Sequence, residues 1–269
     1  MNNKRNNYKI LVLSELNKSA QHSLKNAVSL AKIINADIHF FHAKAPRDIV
    51  KNENQLSAHR SINEKYIGTE EKINSLISSF NKTYEVNISY SFAFGNLKNE
   101  IIKCIKELNP DVIVLGKFKP KFYNLTGIRI IDLVLKSHNG SILVSSESNT
   151  LEPNSTLNLG VLNRDDEFLN TNWIQNLMNY SSKPLKSFKV IKKLPSIKQL
   201  DLAENKSITE FVFEHSDVTF KNLIKYTSSS QLNLLCVNRN TSKNPYYKTI
   251  TKSDINELSS HFNGPILLC

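Results

Sequence analysis

Residues able to do chemistry are thinly spread through this 269-residue chain. The densest group is Lys117-Phe-Lys-Pro-Lys-Phe-Tyr123, basic and aromatic, directly after Gly116. Its lysines offer charge to an anion, and Phe118 or Tyr123 offers a ring on which a flat base would stack. Pro120 removes a backbone donor from the same loop, which counts against a phosphate cradle made of amides. The competing reading is a plain basic surface loop.

Other candidates lack partners at working distance in the sequence. His39 and His42 are three apart on a strand-like segment, so their side chains point to opposite faces and make a poor chelating pair. They read as packing or strand-end residues. Asp165-Asp166-Glu167 precedes a helical pattern, where carboxylates serve as an N-cap and first-turn charges that complement the dipole. Cys104, Cys236 and Cys269 include no CxxC pair and are too few for a disulfide framework, which suits a reducing compartment. Cys104 on a helix and Cys236 within a strand read as small apolar residues. Arg239 reads as an exposed surface arginine. No HExxH, Walker or GxSxG pattern occurs, so no residue is assigned a catalytic role and the chain does not read as an enzyme.

Any such residues must be positioned by regular elements, and the apolar pattern supplies them. About 40% of residues are apolar, enough for real cores. Lys9–Ser14 is a short buried-type strand, followed by a helix over 19–36 and a strand over 37–43. A long polar helix over 53–81 leads to a strand over 86–93. Gly95 then punctuates the chain before a helix over 97–108, which Asn109-Pro110 stops. The apolar run 111–116 ends in glycine. A helix over 127–137 and a strand over 141–145 follow. Strands separated by helices imply a parallel sheet covered on both faces. After a polar, proline-containing linker over 148–156, the alternation restarts. Strands are expected over 157–162, 185–191, 209–214, 232–238 and 265–268. Helices are expected over 167–180, 196–203, 218–226 and 253–262. Internal duplication is the simplest account, with domain 1 over 1–147 and domain 2 over 157–269.

The opening Lys9-Ile-Leu-Val-Leu-Ser-Glu-Leu-Asn-Lys-Ser19 and the segment Ala36-Asp-Ile-His-Phe-Phe-His-Ala43 resemble the start of a universal stress protein. Phe94-Gly95 and Asn109-Pro-Asp-Val-Ile-Val-Leu-Gly116 are similar to later parts of the same family, as is Gly127 through Ser145. The resemblance covers residues 8 to 146 and is topological in 157 to 269, matching the tandem form of the family. It implies two Rossmann-like α/β units of the adenine nucleotide alpha hydrolase type, each with five parallel strands. It also implies an internal pseudo-dimer meeting through the final strands, with room for further dimerisation.

Members that bind ATP place a glycine after the fourth strand, another three residues on, and a Gly-Ser/Thr pair about ten residues later. On this sequence the resemblance puts Gly116 first, Lys119 where the second glycine is expected, and Gly127 later, with Ile128 in place of the hydroxyl residue. Glu15 would stand near the base, one carbon longer than the usual aspartate, and Ala43 would line the same site. Domain 2 has no glycine between Gly160 and Gly264, so a phosphate loop of that kind is not available there. The function implied is a stress-response regulator with weak or lost ATP binding. Two alternatives are an ATP sensor using the domain 1 loop and a slow nucleotide hydrolase.

The formal charge of +11, with more of the excess in the first half, suits an anionic small ligand or a solvated lysine-rich surface. No long basic run with interleaved aromatics and no helix-turn-helix, RNA-recognition or zinc-finger signature is present, which argues against nucleic acid. Neither an apolar leader nor a stretch of ~20 apolar residues occurs, so a cytoplasmic protein without a membrane span is expected. Protein partners are not specified.

Overall fold

Strand β1 (Tyr8–Leu13) ends in the apolar run Ile10–Leu13, all four residues buried, which a strand achieves only when both faces of its sheet are covered. The computed structural model describes residues 7–45, 55–116, 130–164, 172–192, 208–239 and 247–269, with 55–61 and 172 described by backbone alone. Contacts divide the chain into two units, Met1–Ser141 and Ile142–Cys269.

In unit 1 the chain runs through β1, α1 (Ser19–Ile34), β2 (Ala36–Lys44), α2 (Gln55–Tyr84), β3 (Ile88–Phe94), α3 (Leu97–Leu108), β4 (Val112–Leu115) and α4 (Ile130–Ser137). The strand order is β3-β2-β1-β4, with parallel β1–β2, β2–β3 and β1–β4 pairs. Successive crossovers carry the chain outward from β1 to β3, and the next returns it to the far side of β1. The order of progression therefore reverses between β1 and β4, where α/β sheets open a crevice at their carboxyl ends.

Local sequence explains the element ends. Helix α1 stops at Ile34, two residues before the sequence-based expectation, because Asn35 takes a left-handed conformation (φ 57°) and donates its N–H to Ala31. Ala36 then opens β2 instead of closing the helix. Asn109 ends α3 in the same way (φ 45°), one residue before Pro110, and the Asn96 side chain caps its start. Helix α2 buries Thr69, Ile73, Ile77 and Phe80 at helical spacing, while most residues between them stay exposed.

Unit 2 holds nearly all of β5 (Ser141–Val144), then β6 (Leu159–Leu162), α5 (Asn172–Tyr180), β7 (Leu185–Ile191), β8 (Ile208–Glu214), α6 (Thr219–Ser229), β9 (Leu234–Val237), α7 (Lys252–His261) and β10 (Ile266–Leu268). The order β8-β7-β6-β9-β10 repeats that of unit 1, again with parallel pairs. Strand β5 completes this set beside β10, running antiparallel to it, so the sheet is mostly but not wholly parallel. The expected strand at 157 begins at Leu159, since Leu157 makes only an isolated bridge to Ser181. The helix expected over 196–203 and the carboxylates Asp165, Asp166 and Glu167 lie outside the described residues.

Gly160 shows how closely unit 2 packs. A Cβ there would fall 2.6 Å from Leu232 Cδ1 and 2.9 Å from Phe188 Cε2, so only glycine lets these side chains close over β6.

Candidate functional site

The switch point of unit 1 lies among three strand ends. Leu13 is in register with Phe41 on one side and with Leu115 on the other. The residues that follow, Ser14-Glu15, His42-Ala43 and Gly116, therefore gather at the carboxyl ends of neighbouring strands. Three of the five expected site residues are thus brought to one end of the sheet. Lys119 and Gly127 lie outside the described residues, as do the rest of the 117–123 loop and Ile128.

Each described residue has a distinct environment. Glu15 is exposed, and its carboxylate accepts a hydrogen bond from Asn17 Nδ2 at 3.3 Å. Asn17 also takes the Ser19 N–H at 2.9 Å through its Oδ1, which fastens the turn into α1. Gly116 is partly exposed and sits against the start of that helix. A Cβ on it would lie 3.0 Å from Ser19 Oγ, 3.6 Å from Ser19 Cβ and 3.9 Å from Ser23 Oγ. The glycine thus lets the end of β4 approach the first turn of α1, which sequence spacing had not linked to it.

Ala43 offers its backbone. The Phe41 carbonyl accepts the Ser14 N–H at 3.1 Å, so Phe41 directs its polar groups toward β1. Ala43, two residues on, directs its own N–H and C=O the same way, but beyond the last residue of β1. Among the described residues no hydrogen bond reaches them on that side. The result is a partly exposed residue whose backbone donor and acceptor point past the end of β1.

His42 stands between these groups without facing a ligand. Its ring is buried, and Nδ1 donates to the Ser14 carbonyl at 2.8 Å. Burial lowers its pKa below the ordinary 6.5; the Ser14 bond opposes this and the Lys44 charge adds to it. His39 points elsewhere, with ring nitrogens 2.9 Å from Ser89 Oγ and 2.8 Å from Ser91 Oγ. The two histidines are separately engaged, as their alternating directions on the strand require. Among the described residues no group of three or more His, Cys, Asp or Glu side chains is placed to hold a metal ion. No described helix is long and apolar enough to cross a membrane.

Of the three thiols, those of Cys104 and Cys236 are buried. Cys104 is pushed up to about 11 by burial and by the nearby Glu107, and Cys236 is raised well above its ordinary value by burial and by Cys269. Arg239 departs from its expected exposed state. It is partly buried, its N–H donates to the Cys269 carbonyl at 2.8 Å, and burial lowers its pKa.

No family model matches the sequence, and no curated protein matches it. Solved structures do match. A universal stress protein from Archaeoglobus fulgidus is 12% identical, with 97% of this chain and 95% of that one covered, at a TM-score of 0.67. A Pseudomonas aeruginosa structure described as a universal stress protein is 11% identical over 98% of this chain and 93% of that one, at 0.58. A functionally unknown protein from Pseudomonas aeruginosa is 10% identical over 98% and 92%, at 0.54. At these identities the likeness is one of fold, and it extends over nearly the whole length of both partners.

Proposed function

We propose that this chain, which has the universal-stress-protein fold from end to end, is a stress-response regulator that takes an adenine nucleotide weakly in unit 1. The observation that carries this reading is the open N–H and C=O pair of Ala43 at the same sheet end as Gly116. A base would be read by that pair, with Gly116 holding the end of β4 close against the first turn of α1.

Affinity is limited on the phosphate side. The second expected glycine is Lys119, the hydroxyl beside Gly127 has become Ile128, and Pro120 cannot donate. Lysine charge from Lys117, Lys119 and Lys121 substitutes for directed amides, which favours an anion without fixing its geometry. The chain acts by binding, not by catalysis. The three free thiols suit a cytoplasmic setting.

Isothermal titration with ATP and magnesium tests the reading. A Kd of about 0.1–1 mM is expected, or about 4–5.5 kcal/mol. Gly116→Val should weaken binding, because its side chain would press on Ser19 Oγ, 3.0 Å from the Cβ position, and push the end of β4 away from α1. Low-micromolar binding lost in that variant would make unit 1 a full nucleotide sensor. Without saturable binding at millimolar ATP, nucleotide would drop out of the reading. Phosphate release above background, lost on altering the 117–123 loop, would make the protein a hydrolase.

A further inference from the structure

The repeat allows the two units to be compared strand end by strand end. Leu162 is in register with Phe188 in unit 2 as Leu13 is with Phe41 in unit 1. Asn163 then corresponds to Ser14, and its N–H donates to the Phe188 carbonyl at 2.7 Å, as Ser14 does to Phe41. By the same count Val190 corresponds to Ala43.

The outcome at Val190 is opposite to that at Ala43. The Val190 N–H donates to Asn163 Oδ1 at 2.8 Å, and its carbonyl accepts the Lys248 N–H at 2.9 Å. Asn163 reaches the same segment again, its Nδ2 donating to the Lys248 carbonyl at 3.0 Å. Tyr247 makes an antiparallel bridge with Ile191. Both backbone groups that a base would use are therefore taken by the chain itself, one by a side-chain acceptor and one by a backbone donor.

The segment is anchored at its other end. Lys248 Nζ lies 2.8 Å from Asp254 Oδ1 and 4.7 Å from the centre of the Phe220 ring. Asp254 in turn closes a capping box with Thr251 at the start of α7. Asn163 is fully buried with φ 53°, a conformation that asparagine tolerates better than most residues, and its carbonyl accepts from Asn238 Nδ2 at 3.2 Å.

We propose that Tyr247–Thr251 is a built-in strap that occupies the base position of unit 2, so that unit 2 is closed to nucleotide and the chain takes at most one, in unit 1. The comparison uses unit 1 as its template, but the strap stands whether or not unit 1 binds ATP.

Amide hydrogen exchange on the full-length, ligand-free protein, resolved residue by residue by NMR, tests it. The Val190 and Lys248 amides should exchange at least about 100-fold more slowly than in an unfolded chain, as bonded core amides do. Adding ATP and magnesium should leave both rates unchanged. Asn163→Ser, which installs the residue found at this place in unit 1, should speed Lys248 exchange at least about tenfold while Leu267 in β10 stays protected. A Lys248 amide exchanging near the unfolded rate would overturn the proposal. So would protection of Val190 by ATP, or an unchanged Lys248 rate in the folded variant. Failure of ATP to protect Ala43 would instead count against the reading of unit 1 alone.

Discussion

The sharpest contrast in the protein comes from two equivalent backbone positions, Ala43 left open and Val190 taken up. Neither depends on the side chain at that position. Side chains decide the outcome one residue from a strand end: Ser14 turns its Oγ to the Leu16 N–H at 3.2 Å, while Asn163 is long enough to reach Val190. His42 carries a pH consequence for unit 1. Its folded pKa lies below the ordinary 6.5, so its neutral form stabilises the fold above that value. That contribution is lost as pH falls from 6.5 through the folded pKa, because the unfolded chain takes up the proton first. The thermal midpoint should therefore drop between pH ~7 and ~5, and His42→Gln should flatten the drop. An equally steep profile in the variant would place the effect elsewhere.

At the level of elements, helix caps and strand packing give separable effects. Thr251→Ala removes the capping box of α7 and should cost about 0.5–2 kcal/mol in urea unfolding. Asp254 has the sign usual for a paired carboxylate, although it is buried. Burial pushes its pKa up, yet bonds from Lys248 and Thr251 outweigh this and hold it below 3.8. Its stabilisation is present above 3.8 and disappears as pH falls through the folded value, so Asp254→Asn should destabilise at neutral pH but not below that range. Two glycines make a matched pair. Gly160→Ala must press on Leu232 and Phe188 and should cost about 1–3 kcal/mol. Gly68→Ala in α2 meets nothing within 4 Å and should gain about 0.5–1 kcal/mol. Equal unfolding midpoints for the two variants would refute this account of Gly160.

Across the whole molecule the charge of +11 is the property most open to measurement. If it assists an anionic ligand, ATP binding should weaken severalfold between low and high salt, with adenosine binding nearly unaffected. Parallel salt dependence for both would assign the lysines to solvation alone. Much of the architecture was legible beforehand. Helix α3 and strand β7 occupy the residues that apolar content and spacing mark out, because an asparagine cap, a proline stop and a short run rich in apolar residues are all local signals. The exit of α1 was misplaced by two residues, since left-handed Asn35 carries no apolar signature. Glu15, Ala43 and Gly116 stand at one end of the sheet, and the contact of Gly116 with Ser19 is not legible in the sequence.

The amino-acid sequence alone determined the alternation of strand and helix, its repetition, and the absence of glycine between Gly160 and Gly264. These follow from periodicity and composition, which act over a few residues. Only the tertiary structure decided which strand ends lie side by side, that Ala43 opens past the end of β1, and that Lys248 closes Val190. The register of parallel strands joined by long crossovers depends on how whole elements pack, and no local stretch of sequence encodes it.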